Sequence, residues 1–284
     1  MGSTVGKDTI DKPIKAGGQA LADGVLMRTE RAWAIARADG TVEVGEVPPV
    51  PMSKVPVLRV VMGLGAALKL GVVRGVLRKG DPDRPDVKRS RRVNMRFLQA
   101  ALLGEVAVMV LSRWMSHGAP DWVNRVAGVL PWLIVLLVLR IATPSALWRF
   151  HGAEHKAVTA HEQGVDLSDT DAVLGCSRIH NRCGTNLVFL MGVLSYFVTR
   201  VPAVVEAPMF LVMLGVSVET LSLASRRPRF LLSRLLLAGG KLVQRFVTTR
   251  EPTAEEQAIG CRALRAALAE HERLAADERV LVAA

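Results

Sequence analysis

Three cysteines in 284 residues are too few for a disulfide scaffold, and only Cys176 and Cys183 lie close together. No secretory leader heads the chain: residues 1–24 are Gly-rich and charged and lack an apolar core, so the N-terminus is expected to be mature and cytosolic. Acidic groups are scarce relative to basic ones, 26 against 37, which leaves a net charge of +11 and excludes an acidic disordered chain. No zinc-finger spacing or RNA-binding signature accompanies that basicity. What the chain does have is apolar residues, which make up half of it, with a mean hydropathy of +0.28. Basicity with high hydropathy leaves a nucleic-acid binder or a membrane protein with cationic loops.

The distribution of charge favours the membrane. Four stretches have the apolarity of spans: about Phe97 to Met115, interrupted by Glu105; about Val126 to Trp148, with Arg140 and Pro144 toward its end; about Asn186 to Thr199; and about Ala203 to Ala224, with Glu206 and Glu219 near its two ends. Residues 78–96 hold eight basic groups, 149–184 hold four and 225–250 hold seven, whereas the intervening connections contribute only Arg113, Arg125 and Arg200. By the positive-inside rule both termini and the 149–184 loop are cytosolic, in a multi-pass protein of the inner membrane. The expected partners are membrane lipids with anionic headgroups, with no nucleic acid and room for a protein partner.

The expected architecture is mainly α. Residues 1–54 form a cytosolic β-hairpin region, with strands on either side of Asp39-Gly40 and a tight turn or close backbone approach at Gly17-Gly18. Residues 55–96 hold an amphipathic interfacial helix and a basic linker. Arg59, Lys69, Arg74 and Arg78 share roughly half the helical circumference at about 100° per residue. Residues 97–224 form the four-span domain with its His/Cys loop at 149–184. Residues 225–284 are a cytosolic segment and helix, opened by the Thr253/Glu256 capping box and running to about Leu274. Cys261, among small residues of that helix, reads as packing.

The chemistry concentrates after the second span, in "WRFHGAEHKAVTAHEQG". His151 and His155 are four apart and share a helical face, so they can grip one ion of zinc type. Glu154 beside them stands where a hydrolytic general base would be wanted. The order H-x-x-E-H is the inverted zinc-hydrolase pattern. His161 and Glu162 follow, then "CSRIHNRCGTN" with Cys176, His180 and Cys183, so four of six histidines and two of three cysteines fall within 33 residues. His180, Cys183 or Glu219 can complete the ligand set, and Glu219, a carboxylate within a span, is a functional candidate in its own right. Arg149, Lys156, Arg178 and Arg182 equally suit an anion site without metal, and a structural loop is the third reading. Ser177 lacks the surroundings of a nucleophile elbow.

These motifs resemble the YqhQ-like family of bacterial membrane proteins, a domain of unknown function grouped with metal-dependent enzymes. The likeness spans about residues 16 to 268 and rests on "GGQALADGVLMR" (17–28), "HGAEHKAVTAHEQG" (151–164), "CSRIHNRCGTN" (176–186), Glu219 and "LVQRFVTTREP" (242–252). The resemblance implies a multi-span inner-membrane protein. It also directs attention to His151, Glu154, His155, Glu162, His180, Cys183, Glu219 and the segment Thr248-Thr249-Arg250-Glu251-Pro252. The family often has an Arg-Gly pair and a Glu in the first amphipathic helix; here Arg59 is followed by Val60, no acidic residue occurs between Ser53 and Gly80, and Asp23 stands where a Glu is common.

The leading expectation is a metal-dependent hydrolase acting on a membrane-associated substrate. The alternative is a non-enzymatic scaffold or anionic-lipid-binding regulator, with the hairpin and residues 248–252 as docking surfaces. A transporter, motivated by Glu105, Arg140, Glu206 and Glu219, is third, because four spans show no internal repeat.

Overall fold

The computed structural model describes residues 13–48, 62–63, 65–67, 69–71, 85–115, 120–198 and 203–283. Four strands come first: β1 (Gly17–Leu21), β2 (Gly24–Arg28), β3 (Ala32–Arg37) and β4 (Val42–Glu46), antiparallel in the order β1-β2-β3-β4. The expected hairpin is thus the second half of a meander. β3 and β4 join across Asp39-Gly40, where the Asp39 carboxylate accepts from Thr41 N at 3.0 Å and Thr41 Oγ1 at 2.6 Å. β1 and β2 meet across Ala22-Asp23, with Leu21 opposite Gly24.

The period of two sorts the sheet's side chains onto two buried faces. Val25, Met27, Ala34 and Ala36 face the helical core, while Leu21, Leu26, Trp33 and Ile35 form a second cluster behind them. Val47 and Leu70 pack against that second cluster. Most of the expected amphipathic helix lies outside the described residues, but positions 62–63, 65–67 and 69–70 are helical, and Leu70 places this stretch under the sheet. Arg37, 1% exposed, ends β3 inside the protein, where Asp23 Oδ1 and Oδ2 accept from Nη1 at 3.0 and 3.2 Å. A buried guanidinium needs such a partner.

Eight helices follow among the described residues: α1 (Pro85–Met115), α2 (Asp121–Ala142), α3 (Ser145–Gln163), α4 (Thr170–Leu174), α5 (Gly184–Phe197), α6 (Ala203–Arg226), α7 (Leu231–Val243) and α8 (Ala254–Ala283). One turn of π-helix, Gln244–Thr248, extends α7. Two boundaries differ from expectation. The chain described from Pro85 onward is helical, so residues 85–96 of the expected basic linker belong to α1. The second apolar run breaks at Pro144, which lacks an N–H and disfavours helix at Thr143, so the histidines sit on a separate helix, α3. α8 continues past Leu274 to Ala283.

α3 packs between β1–β2 and α8, and α8 also covers β2, β3 and β4. Their shared core includes Phe150, Ala157, Val158, Ile259, Ala263, Leu264 and Ala267. Cys261 is buried there as expected. α2, α5, α6 and α7 form a second assembly, joined by Leu190, Leu221, Ala224 and Leu237 and by Trp132 Nε1 donating to Ser195 Oγ at 3.1 Å. Here large apolar side chains point outward: Leu103 and Trp114 on α1, Leu133 and Ile141 on α2, Phe210 and Leu223 on α6, Leu231 and Leu235 on α7. Among the described residues one stretch, Pro208–Arg226, is long and apolar enough by length and composition to cross a membrane.

Candidate metal centre

Residues 152 to 160 of α3 are all buried, including Glu154, His155, Lys156 and Thr159. A helix enclosed on every side must find a partner for each polar group it carries. His155 Nδ1 bonds Arg178 O at 2.7 Å, and His151 Nδ1 bonds Thr248 O at 2.7 Å. A carbonyl only accepts, so both Nδ1 atoms carry the proton and both Nε2 atoms keep a free lone pair. Lys156 Nζ donates to Leu174 O at 2.6 Å and Cys176 O at 2.9 Å and pairs with Glu251 at 3.0 Å. Thr159 Oγ1 donates to Ser177 O at 3.2 Å.

The two imidazoles converge with one cysteine. His151, His155 and Cys183 each present a ligand atom, all within 4.8 Å of one another. Cys183 Sγ lies 3.4 Å from His151 Nε2, and the two rings stand 4.4 Å apart at their centroids. Tetrahedral zinc with ordinary bond lengths sets its nitrogen and sulfur ligands about 3.6 Å apart, so this spacing fits. Cys183 is the N-cap of α5, and Thr185 N donates to its sulfur at 3.4 Å, which orients the thiol. Histidines held at Nδ1 by carbonyls while Nε2 points to a common centre have the usual second-shell support of metal ligands. The residues present therefore fit a bound divalent ion. Burial pushes the His155 pKa down, with His151 adding to the effect, and so keeps the ring neutral as a ligand must be.

Glu154 lies beside this group, its Oε2 4.0 Å from His151 Nε2. Burial raises its pKa, while His151, His180 and the Gly18 backbone N–H act in the opposite direction. Gly18 is the close approach anticipated from the Gly pair: a Cβ there would fall 2.9 Å from Glu154 Cγ and 2.5 Å from Leu26 O. A cavity of about 440 Å³ opens onto the centre, bounded by His151, Glu154, His155 and Cys183, with Gly17, Gly18 and Arg28 of the sheet opposite.

The other expected residues fall elsewhere. His180 lines the cavity, but its Nε2 bonds Glu162 Oε2 at 3.1 Å, and its ring centroid is 5.8 Å from that of His155. Glu162 also takes Arg182, and the His180 hydrogen bond is the largest cause of its lowered pKa. Glu219 is exposed on α6 and outside the three-ligand group. Arg149 pairs with Glu256 at 2.8 Å. The side chains of Glu105 and Glu206 lie outside the described residues.

Residues 248–252 strap the centre rather than face outward as a whole. Thr248 and Thr249 are buried, Thr248 Oγ1 meets Thr185 Oγ1 at 2.9 Å, and Arg250 N donates to Trp148 O at 2.9 Å. Gly152 admits this strap, since a Cβ there would lie 2.0 Å from Arg250 O. Arg178 Nε donates to Glu251 Oε1 at 2.8 Å and so ties the His180 loop to the strap.

That chain belongs to a family. The model of the family described as protein of unknown function (DUF1385) matches residues 56–270, three quarters of the sequence, so the protein is a DUF1385 member. The match takes in α3, α5, the strap and every ligand atom, while the sheet precedes it. No curated protein and no solved structure matches the DUF1385 chain.

Sequence reasoning missed Asn186 and Gln244, both fully buried, which fix the backbone of His180. Gln244 lies within the "LVQRFVTTREP" motif, and that placement was the available signal.

The clamp on Glu251 predicts an acid-side effect. Burial raises its pKa, but hydrogen bonds from Lys156 and Arg178 outweigh that, and the net shift is downward. Its stabilisation is fully present above the ordinary carboxylate value of 4.5 and fades as pH falls through the lower folded value. In denaturant titrations Glu251→Gln should be less stable than wild type at neutral pH, and the two should converge in acid. A gap that widens on acidification would contradict the assignment.

Proposed function

We propose that this protein is a multi-span inner-membrane metalloenzyme of the YqhQ-like kind, a zinc-dependent hydrolase acting at the cytosolic membrane surface. The convergence of His151, His155 and Cys183 beside buried Glu154 carries this reading. Two borderline nitrogens and a soft sulfur suit zinc far better than magnesium or calcium. Three protein ligands leave a position open, as catalytic rather than structural zinc sites do. A zinc-type ion bound here supplies Lewis acidity that makes water a usable nucleophile near neutral pH. Glu154, lining the same cavity, takes the proton from the attacking water at its carboxylate and returns it to the leaving group. Gly18 N–H and the surrounding burial hold that carboxylate in place.

The membrane half of the proposal draws on the outward apolar side chains of α1, α2, α6 and α7 and on the basic residues that flank them. Four spans, with both termini and the metal centre cytosolic, fit that distribution. α7 also supports a second reading, an anionic-lipid-binding scaffold: Phe230, Leu231, Leu232, Leu235 and Leu242 are exposed, with Arg234 and Lys241 on the same helix.

Elemental analysis of the protein purified without chelator tests the metal. Wild type is expected to hold a stoichiometric divalent ion, and the double variant His151→Ala/His155→Ala to lose it. Metal-free wild type, or metal unchanged in the double variant, would overturn the proposal.

A further inference from the structure

The cavity beside the metal ligands also gathers cations from separate parts of the chain. Lys15 precedes β1, Arg28 ends β2, and Arg182 precedes α5, and all three line it. Most other buried or half-buried cations nearby are occupied: Lys156 and Arg178 by Glu251, Arg149 by Glu256, Arg37 by Asp23. Arg182 is shared between Glu162 and Ala16 O, and Lys15 meets Glu30 only at 4.0 Å. Arg28 differs from all of these. It is half-buried on the cavity wall, and among the described residues its guanidinium has no hydrogen bond or ion pair. Burial alone lowers its pKa, with no compensating carboxylate. A partly desolvated guanidinium is costly unless an anion meets it, and its planar fork suits an oxyanion that accepts two hydrogen bonds.

We propose that Arg28, flanked by Lys15 and Arg182, binds a phosphoryl group of the ligand that enters this cavity, which makes the substrate a phosphorylated molecule. Three cations from separate segments suit the multiple charge and several acceptor oxygens of a phosphate better than a single carboxylate. The sheet thus supplies substrate recognition and α3 with α5 supplies the chemistry. The inference rests on the hydrolase reading for the word substrate, but the binding site stands without it.

Binding of inorganic phosphate to the full chain in detergent, by calorimetry, tests the site with and without prior chelation. Wild type is expected to bind phosphate saturably, including after chelation, because the cations do not depend on the metal. Arg28→Met should weaken binding by about ten- to hundredfold with unchanged metal content, and Arg28→Lys should fall between. Short-chain phosphatidic acid and a soluble sugar phosphate then compete: stronger displacement by the first assigns a lipid headgroup, by the second a soluble ligand. No saturable phosphate binding, or equal affinity in wild type and a folded Arg28→Met, would overturn the proposal. Untreated wild type that binds phosphate saturably yet carries no stoichiometric metal would instead sink the hydrolase reading alone.

Discussion

Glu154→Gln is expected to lower hydrolytic turnover by about two to four orders of magnitude while leaving the metal in place. The amide keeps the size of the side chain and can still accept the Gly18 N–H, so packing against β1 and β2 is preserved. It cannot take up a proton from water. Nor is Glu154 one of the three converging ligands, so metal content reports an intact centre while turnover reports the base. A panel of phosphoester, acyl ester and peptide substrates, compared between wild type and variant, provides the measurement. Equal turnover in the two would move Glu154 to a positioning role and favour the scaffold reading. Gly18→Ala makes a companion test, because its Cβ would press on Glu154 Cγ and Leu26 O and shift the carboxylate without removing it.

The second large effect is expected at a residue that touches neither metal nor substrate. Gln244 is fully buried. Its Oε1 accepts from His180 N at 2.9 Å, and its Nε2 donates to His180 O and to Asn186 Oδ1, each at 3.1 Å. Leu in its place fills similar space but strands the His180 N–H and the Asn186 carbonyl, at about 1–3 kcal/mol for each buried group left unpaired. The loss extends to function, because the segment fixed by these bonds leads directly into Cys183. Metal affinity is expected to fall by about ten- to a hundredfold, the usual cost of an outer-shell change. Gln163→Leu on the exposed end of α3 should change neither quantity. Denaturant midpoints and competitive chelation measure the two effects. Full stability in Gln244→Leu would mean that the loop holds its shape by other contacts.

Much of the α architecture was legible because helices are local. Apolar runs, the Thr253/Glu256 capping box and the i, i+4 spacing of His151 and His155 depend on neighbours within a few residues. The break at Pro144 was equally readable as chemistry, yet a continuous hydropathic run hid it. The full meander was harder to see, since β1 has Gly17 and Gly18 in place of strand-forming residues and owes its register to β2.

The sequence by itself determined that His151, Glu154 and His155 lie together on one helix, and that the chain combines apolar stretches with one-sided basicity. Only the tertiary structure decided that Cys183, rather than His180 or Glu219, joins the two histidines. Three candidates at separations of 25 to 64 residues from His155 looked equivalent, since sequence distance says nothing about where a loop turns. The choice is made by non-local groups. The carbonyls of Arg178 and Thr248 aim the imidazoles, Gln244 grips the His180 backbone, and Glu162 draws the His180 ring away. Arg28 likewise reaches the cavity only because β2 packs beside α3, since burial and charge compensation are properties of the assembled fold.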